Sequence, residues 1–260
     1  MMKYVSILIL GIAFFQIGCN RQKMNAPEFD SPKKGTLLIR VVDSFKPVME
    51  EQIRMYEASF PEAKIIASYK PEAECFKDFF SDSLTKMIFV TRGLSDREDK
   101  YLHDSLHYFP AFAAVASDAV AIIVNKNSND TLFTLDRLQK QLLGKENRQQ
   151  TIVFDGLNAT STVRFITDSV LKGKFFDTSV VKAAANSNEV INYVSNNENA
   201  IGLIGINWIG NPEEPEQVEK LKQVKIAYVQ CDLCDNKPFV KPMQENILNH
   251  RYPLVRGLYY

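Results

Sequence analysis

Two short stretches carry the side chains best suited to hold a small anion. Asp43-Ser44-Phe45 follows an apolar run of strand length, residues 36–42 (TLLIRVV), and precedes a helical stripe. Asn158, Thr160, Ser161 and Thr162 follow a second such run, residues 151–154, and precede another stripe, Val163, Ile166 and Val170. Hydroxyls and amides at a strand-to-helix turn lie beside the free backbone N–H groups of the helix start, which carry partial positive charge and donate to anions. Ser44, Phe45, Asn158, Thr160, Ser161 and Thr162 are therefore the candidate ligand-binding residues. Arg92 lies just past the run KMIFV at residues 86–90. Each has a plainer use as well: Ser44, Asn158 and Ser161 as helix caps, Arg92 as a surface charge. Asp118 is expected to support a hinge. Asp155, before Gly156, reads as a turn-stabilising carboxylate or as a contact for a cation or amine.

The other reactive types point elsewhere. His103 and His107 lie four apart, as in metalloprotease helices, but the string HDSLH lacks the required Glu and a third ligand. Cys231 and Cys234 are a C-x-x-C pair after a strand-like run; a local disulfide, free thiols, a redox pair and half a metal site are the open readings. No Gly-x-Ser-x-Gly elbow and no Gly-rich nucleotide loop occurs. The expectation is no catalytic residue, no metal and no cofactor, with an envelope enzyme as the rival class.

The elements that must position these residues follow from periodicity. Met49, Ile53, Tyr56 and Phe60 make one helix face after residues 36–42, with Asp43 or Ser44 as cap and Pro47 in the first turn. Residues 64–69 and 86–90 read as further strands, with Ala73, Phe76 and Phe80 between them as a short helical stripe. Strand–helix–strand–helix–strand predicts a parallel sheet with crossover helices. The pattern restarts with the apolar run 115–124. Thr134 caps Leu135, Leu138 and Leu142, and Gly144 ends that helix. Ser187 or Asn188 caps a helix bearing Val190, Tyr193 and Val194; residues 201–206 and 225–229 are strands, and 211–219 an exposed loop. The fold class is α/β, with ligand-lining loops at the carboxyl ends of the strands.

At the start, Lys3 and the apolar residues 4–17 fit an export signal, being short of the roughly 20 residues a membrane-spanning helix needs. Gly18-Cys19 resembles a lipobox, which makes Cys19 the lipidated mature N-terminus and residues 20–34, with Pro27 and Pro32, a flexible tether. Across the 260 residues, hydrophobic types make up 45% and charged types 24%, which suits a globular chain. Lys plus Arg and Asp plus Glu are 31 each, without a basic run, so nucleic acid is not an expected partner.

Four segments in order carry a family resemblance. ASDAVAIIVN at residues 116–125 is similar to an interlobe stretch in which an acidic residue precedes an apolar strand ending Val-Asn. Residues 132–144 resemble the following helix with its Thr-Leu start and terminal Gly; AIGLIG at 200–205 is similar to a late Ala-Ile-Gly strand; RYPLVRGLY at 251–259 resembles a closing Tyr-Pro-Leu motif. Together they resemble the phosphate-binding proteins of ABC importers, a branch of the type II periplasmic binding fold. The resemblance implies a two-lobed fold: 1–19 signal, 20–34 tether, 35–116 first lobe, 117–206 second lobe, and 207–260 a return segment completing the first. It also implies hinge strands near Ser117 and Ile206, and phosphate or a related oxyanion as ligand. A membrane permease would be the partner of a monomeric envelope lipoprotein; the alternative is a binding fold that reads another small solute or a protein. In the family's anion loop an Arg stands where this chain has Asp155, and a hydroxyl where it has Ala159; Ser161 keeps the final hydroxyl. Val90-Thr91-Arg92 resembles the family's Ser-Arg segment after the third strand, which makes Arg92 the candidate cationic partner, with Arg164 as the other arginine that could compensate.

Overall fold

The computed structural model describes residues 30–146, 150–156 and 160–260. Cys19, the export signal, most of the tether and Asn158 lie outside the described residues. In the first part of the chain β1 (Lys34–Val42), α1 (Lys46–Ser59), β2 (Glu62–Lys70), α2 (Glu72–Ser81) and β3 (Met87–Phe89) alternate, and α3 (Asp96–Leu106) follows. The strands form a parallel sheet in the order β2-β1-β3. Ile39, Val41, Phe45 and Met49 make one small core with Leu258. Cys75 and Phe76 of α2 make another with Ile88 and Val90.

The middle of the chain comprises β4 (Ala114–Asn125), β5 (Leu132–Phe133), α4 (Leu135–Leu142), β6 (Thr151–Phe154), α5 (Ser161–Ser169), β7 (Val181–Ala183), α6 (Ser187–Asn196) and β8 (Ala200–Gly205). The last part comprises α7 (Pro215–Leu221), β9 (Val224–Ile226), β10 (Tyr228–Gln230), β11 (Phe239–Val240), α8 (Gln244–Leu248) and β12 (Val255–Tyr259). The larger sheet runs β12-β4-β8-β6-β7, with β9 also on β4; a small one runs β11-β10-β5. β4 changes partner along its length. Its first half pairs antiparallel with β12, its second with β8 and β9. In that second half Val120, Ile122 and Val124 enter one core and Ile123 the other, so both faces are covered. This is why the strand reads as an unbroken apolar run instead of an alternating one.

The local signals resolve in instructive ways. Thr134 caps α4 through the amide of Arg137, and Gly144 takes the left-handed conformation just beyond it (φ 65°). Ser44 does not cap α1. A 3-10 turn, Asp43–Phe45, intervenes, the helix starts at Lys46 with Pro47 in its first turn, and no side chain caps it. The cap of α6 is Asn186, accepting from Glu189 N, and not Ser187 or Asn188 as expected; the Ser187 hydroxyl is thereby free to point elsewhere. The strand expected at 225–229 splits at Ala227, whose amide donates to Ile122 O while that of Tyr228 donates to Thr131 O. The loop expected at 211–219 becomes helical at Pro215, a residue suited to a first turn. Much of the segment expected to return to the first sheet packs with the second part of the chain. Ala227, Val229, Val240, Tyr252 and Leu254 belong to the core around β4, while β12 reaches the first sheet through the Val90–Tyr259 bridge.

Candidate functional site

The two strand-to-helix junctions meet. Ser44, past the end of β1, and Ser161, the first residue of α5, are both buried, and their hydroxyl oxygens lie 2.9 Å apart. Each is held from behind. The carbonyl of Ser44 accepts from Asn207 Nδ2 (2.8 Å) and Trp208 Nε1 (3.1 Å), in the 3-10 turn after β8. Thr160 caps α5 by accepting from Val163 N (3.3 Å), which sets Ser161 and Thr162 in the first helical turn, where backbone N–H groups are unpaired. Phe45 is buried beneath the junction with its ring 5.2 Å from the Arg256 guanidinium.

Arg256 supplies the cation at this junction. It sits on β12 directly opposite Asp118 on β4. Nε and Nη2 donate to Asp118 Oδ2 (3.0 and 2.9 Å), while Nη1 donates to Ser161 Oγ (3.1 Å) and Thr162 Oγ1 (3.4 Å). Burial pushes the Asp118 carboxyl up, and Arg256, with Ala119 and Asn207, works against that rise. Gly205 is required here: a Cβ would lie 2.9 Å from Asn207 Nδ2 and 3.2 Å from both Arg256 Nη2 and Ser44 O.

A second polar cluster joins α5 to the first sheet. Arg164 Nε donates to Glu72 Oε2 (2.6 Å), and Nη2 to the hydroxyl (2.7 Å) and carbonyl (3.2 Å) of Thr91. The other Glu72 oxygen accepts from the Thr91 amide and hydroxyl (2.7 and 2.6 Å). Burial raises the Glu72 carboxyl, but Arg164 and Thr91 outweigh it and hold the group below the ordinary range.

Arg92 is the correction. Its fork is bound to Glu98 through both oxygens (2.7 and 2.8 Å) and stacked 3.7 Å from the Phe76 ring centroid. Arg92 pulls the Glu98 carboxyl down to about 2, helped by Ser95 and against the rise that burial causes. A guanidinium saturated by a carboxylate and an aromatic face serves α3, not the hydroxyl cluster. Arg164 and Arg256 stand where Arg92 was expected, and only Arg256 touches Ser161. The sequence signal for Arg256 was its place in the closing Tyr-Pro-Leu motif; its contact with residue 161 is visible only once β12 is paired with β4.

Asp155, at the end of β6, is buried. Its Oδ2 accepts from Ser187 (3.3 Å) and Thr162 (3.5 Å); its Oδ1 has no hydrogen-bond partner among the described residues. Burial pushes its carboxyl up, opposed by Arg256 and by the hydroxyls of Thr160 and Ser187. Across the junction Asp43 is raised to about 6, by burial and then by Asp155 and Glu74, against Lys46.

Other candidates fall away from the junction. A cavity of about 610 Å³ lies between α1 and the first sheet, lined by Leu37, Ile39, Met49, Met87 and Phe89 and reaching Asp118 and Asn207; its walls offer few donors for an anion. Cys231 and Cys234 form a disulfide, and Cys75 is free and buried. His103 faces Asp99 and packs against the Phe109 ring, and the His107 ring meets the His103 carbonyl, all local contacts on or just beyond α3. Among the described residues no group of His, Cys, Asp and Glu could hold a metal ion, and no helix is long and apolar enough to cross a membrane.

A curated phosphate-binding protein PstS from Staphylococcus saprophyticus is 27% identical over 198 residues, 71% of this chain and 56% of the relative, so the chain spans just over half the length of the curated relative it matches. Among solved structures, a phosphate ABC transporter substrate-binding protein with bound phosphate from Clostridium perfringens superposes with a TM-score of 0.67 at 19% identity, covering 86% of this chain and 85% of that one. An ABC-type phosphate transport receptor from Vibrio cholerae gives 0.59 at 16% identity, covering 86% and 85%. The regulatory domain of OxyR2 from Vibrio vulnificus gives 0.56 at 8% identity, covering 88% of each chain, so the two-lobed α/β fold itself is shared beyond transport. A family model described as a PBP superfamily domain matches residues 26–260, and the chain belongs to that family.

Proposed function

We propose that this chain is an extracytoplasmic solute-binding protein that holds a small oxyanion, of the phosphate class, for an ABC importer. The observation that carries the reading is the meeting of Ser44 and Ser161 beside Arg256. Ser44, Phe45, Thr160, Ser161 and Thr162 form the binding surface on this reading, with Arg256 added and Arg92 removed; Asn158 stays assigned by its place before Thr160. The ligand enters when the lobes part and replaces the Ser44–Ser161 contact, bridging the two sides as they close again. Neutral hydroxyl and N–H donors replace its hydration, and a donor left unmatched costs about 1–3 kcal/mol, which is the basis of selection. Residues 35–116 with β12 make one lobe and residues 117–254 the other, β4 and the turn after β8 serving as the hinge. The tether and lipidated Cys19 would hold a monomer at the membrane within reach of a permease.

The test is calorimetric titration of the wild-type chain and Ser161→Leu with inorganic phosphate, sulfate and molybdate. Binding to wild type that is lost in the variant is expected. Equal affinity in both would move the site away from the α5 start.

A further inference from the structure

The charges around the junction do not suit a bare dianion. Asp118 is paired with Arg256, and Glu72 with Arg164. That leaves Asp155 on one side and Asp43 on the other, and neither forms an ion pair with a described residue. The charged groups acting on Asp155 are Arg256, already shared with Asp118, and Asp43; those acting on Asp43 are Asp155, Glu74 and Lys46, the last also facing Glu50 at 3.8 Å. Asp155 is only 8% exposed, and one of its carboxylate oxygens is buried without a hydrogen bond among the described residues. Buried acceptors are almost always satisfied, and a buried carboxylate is stable only beside a cation or donor. Of the two hydroxyls that bind its other oxygen, Ser187 and Thr162, the second also accepts from Arg256, so Asp155 is one residue away from the groups that suit an oxyanion.

We propose that the ligand is a compact zwitterion, an oxyanion joined to a protonated amine: Ser44, Ser161 and Thr162 hold the oxyanion and the free oxygen of Asp155 takes a hydrogen bond from the ammonium. This rests on the oxyanion reading of the cleft and narrows it to a ligand class. Asp155 is on this account a specificity residue, and the carboxylate that would repel phosphate becomes the group that selects a ligand carrying its own positive charge. One ammonium at Oδ1 satisfies the orphan acceptor and offsets the repulsion between Asp155 and Asp43.

The test is calorimetric titration of the full chain with 2-aminoethylphosphonate, ethylphosphonate, inorganic phosphate and β-alanine at pH 7.5. A charge-assisted hydrogen bond corresponds to a roughly tenfold or greater change in affinity. 2-Aminoethylphosphonate should therefore bind at least about tenfold more tightly than ethylphosphonate or phosphate, and Asp155→Asn should erase that preference while Ser161→Ala weakens both phosphonates. Binding of β-alanine without the phosphonates would also support the zwitterion, with a carboxylate as its anionic end. Phosphate or ethylphosphonate binding as tightly as the amine overturns the proposal and leaves the oxyanion reading standing. No binding by any of the four overturns both. The wild-type ligand comparison decides the matter even where the Asn variant does not fold.

Discussion

Replacing Arg256 by Met isolates the central ion pair. Two guanidinium nitrogens donate to one oxygen of Asp118, and the arginine and aspartate side chains are 1% and 5% exposed. Met fills a similar volume but leaves Asp118 buried without its countercharge. Breaking one side of a buried pair costs about 3–5 kcal/mol, because the remaining charge keeps its desolvation penalty. For a chain of this size each kcal/mol lowers Tm by roughly 2–4 °C, so a fall of about 6–20 °C is expected. The penalty should depend on pH. Without Arg256, burial raises the folded-state carboxyl of Asp118 further above its unfolded value, so the folded chain holds the proton more tightly. Its stability then improves relative to wild type as pH falls toward that raised value. Adding Asp118→Asn should recover much of the loss at neutral pH, since no buried charge remains. Urea unfolding of wild type, Arg256→Met and the double variant at pH 7.5 and 5 provides the numbers. A single-variant loss under about 1 kcal/mol at pH 7.5, or a double variant no better than the single, would refute the reasoning.

Asp43 should limit stability at neutral pH. Its folded carboxyl is raised from 3.8 to about 6, so its ionisation removes stability as pH climbs through that window and the full penalty stands above it. Asp43→Asn is expected to be more stable than wild type at pH 7.5 and equal to it below about pH 4; urea midpoints at the two pH values check this. Thr160→Ala removes the cap of α5, with an expected loss of about 1 kcal/mol. A change within error on equilibrium unfolding would show that the cap hydrogen bond does not hold the start of that helix.

Local chemistry was legible in the sequence where it was strong. The β1 and β4 runs, the Thr134 cap with its Gly144 stop, and the placement of Ser44 and Ser161 after separate strands all follow from patterns a few residues long. Their meeting does not: 117 positions separate the two serines, and it takes the pairing of β4 with β12 along its first half and with β8 along its second to bring them together. Arg92 was misplaced because its partner, Glu98, lies six residues on in a capping box that the hydrophobic pattern does not reveal. β5, β7 and β11 are two or three residues long, too short to leave a periodic signal. The return of residues 224–254 to the β4 core was missed for a related reason: the apolar character of Val229 or Leu254 says that it is buried, but not against which neighbour.

Arg256 brings a guanidinium to a junction whose own strand-to-helix loop carries the carboxylate of Asp155. Here the guanidinium is carried by β12, and the Arg256–Asp118 register on β4 fixes its position. Asp118 takes two of its nitrogens and leaves Nη1 for Ser161 and Thr162. The pair is neutral, so it orients the hydroxyls without adding net positive charge to the junction. On the reading proposed above, what remains is a set of hydroxyls next to a carboxylate oxygen of Asp155 that has no hydrogen bond among the described residues, an arrangement suited to a ligand with both signs of charge. Restoring the family's arginine by Asp155→Arg would add a second buried cation 101 positions away from Arg256 in sequence but beside it in space, and only a ligand of higher negative charge could then offset the repulsion between them.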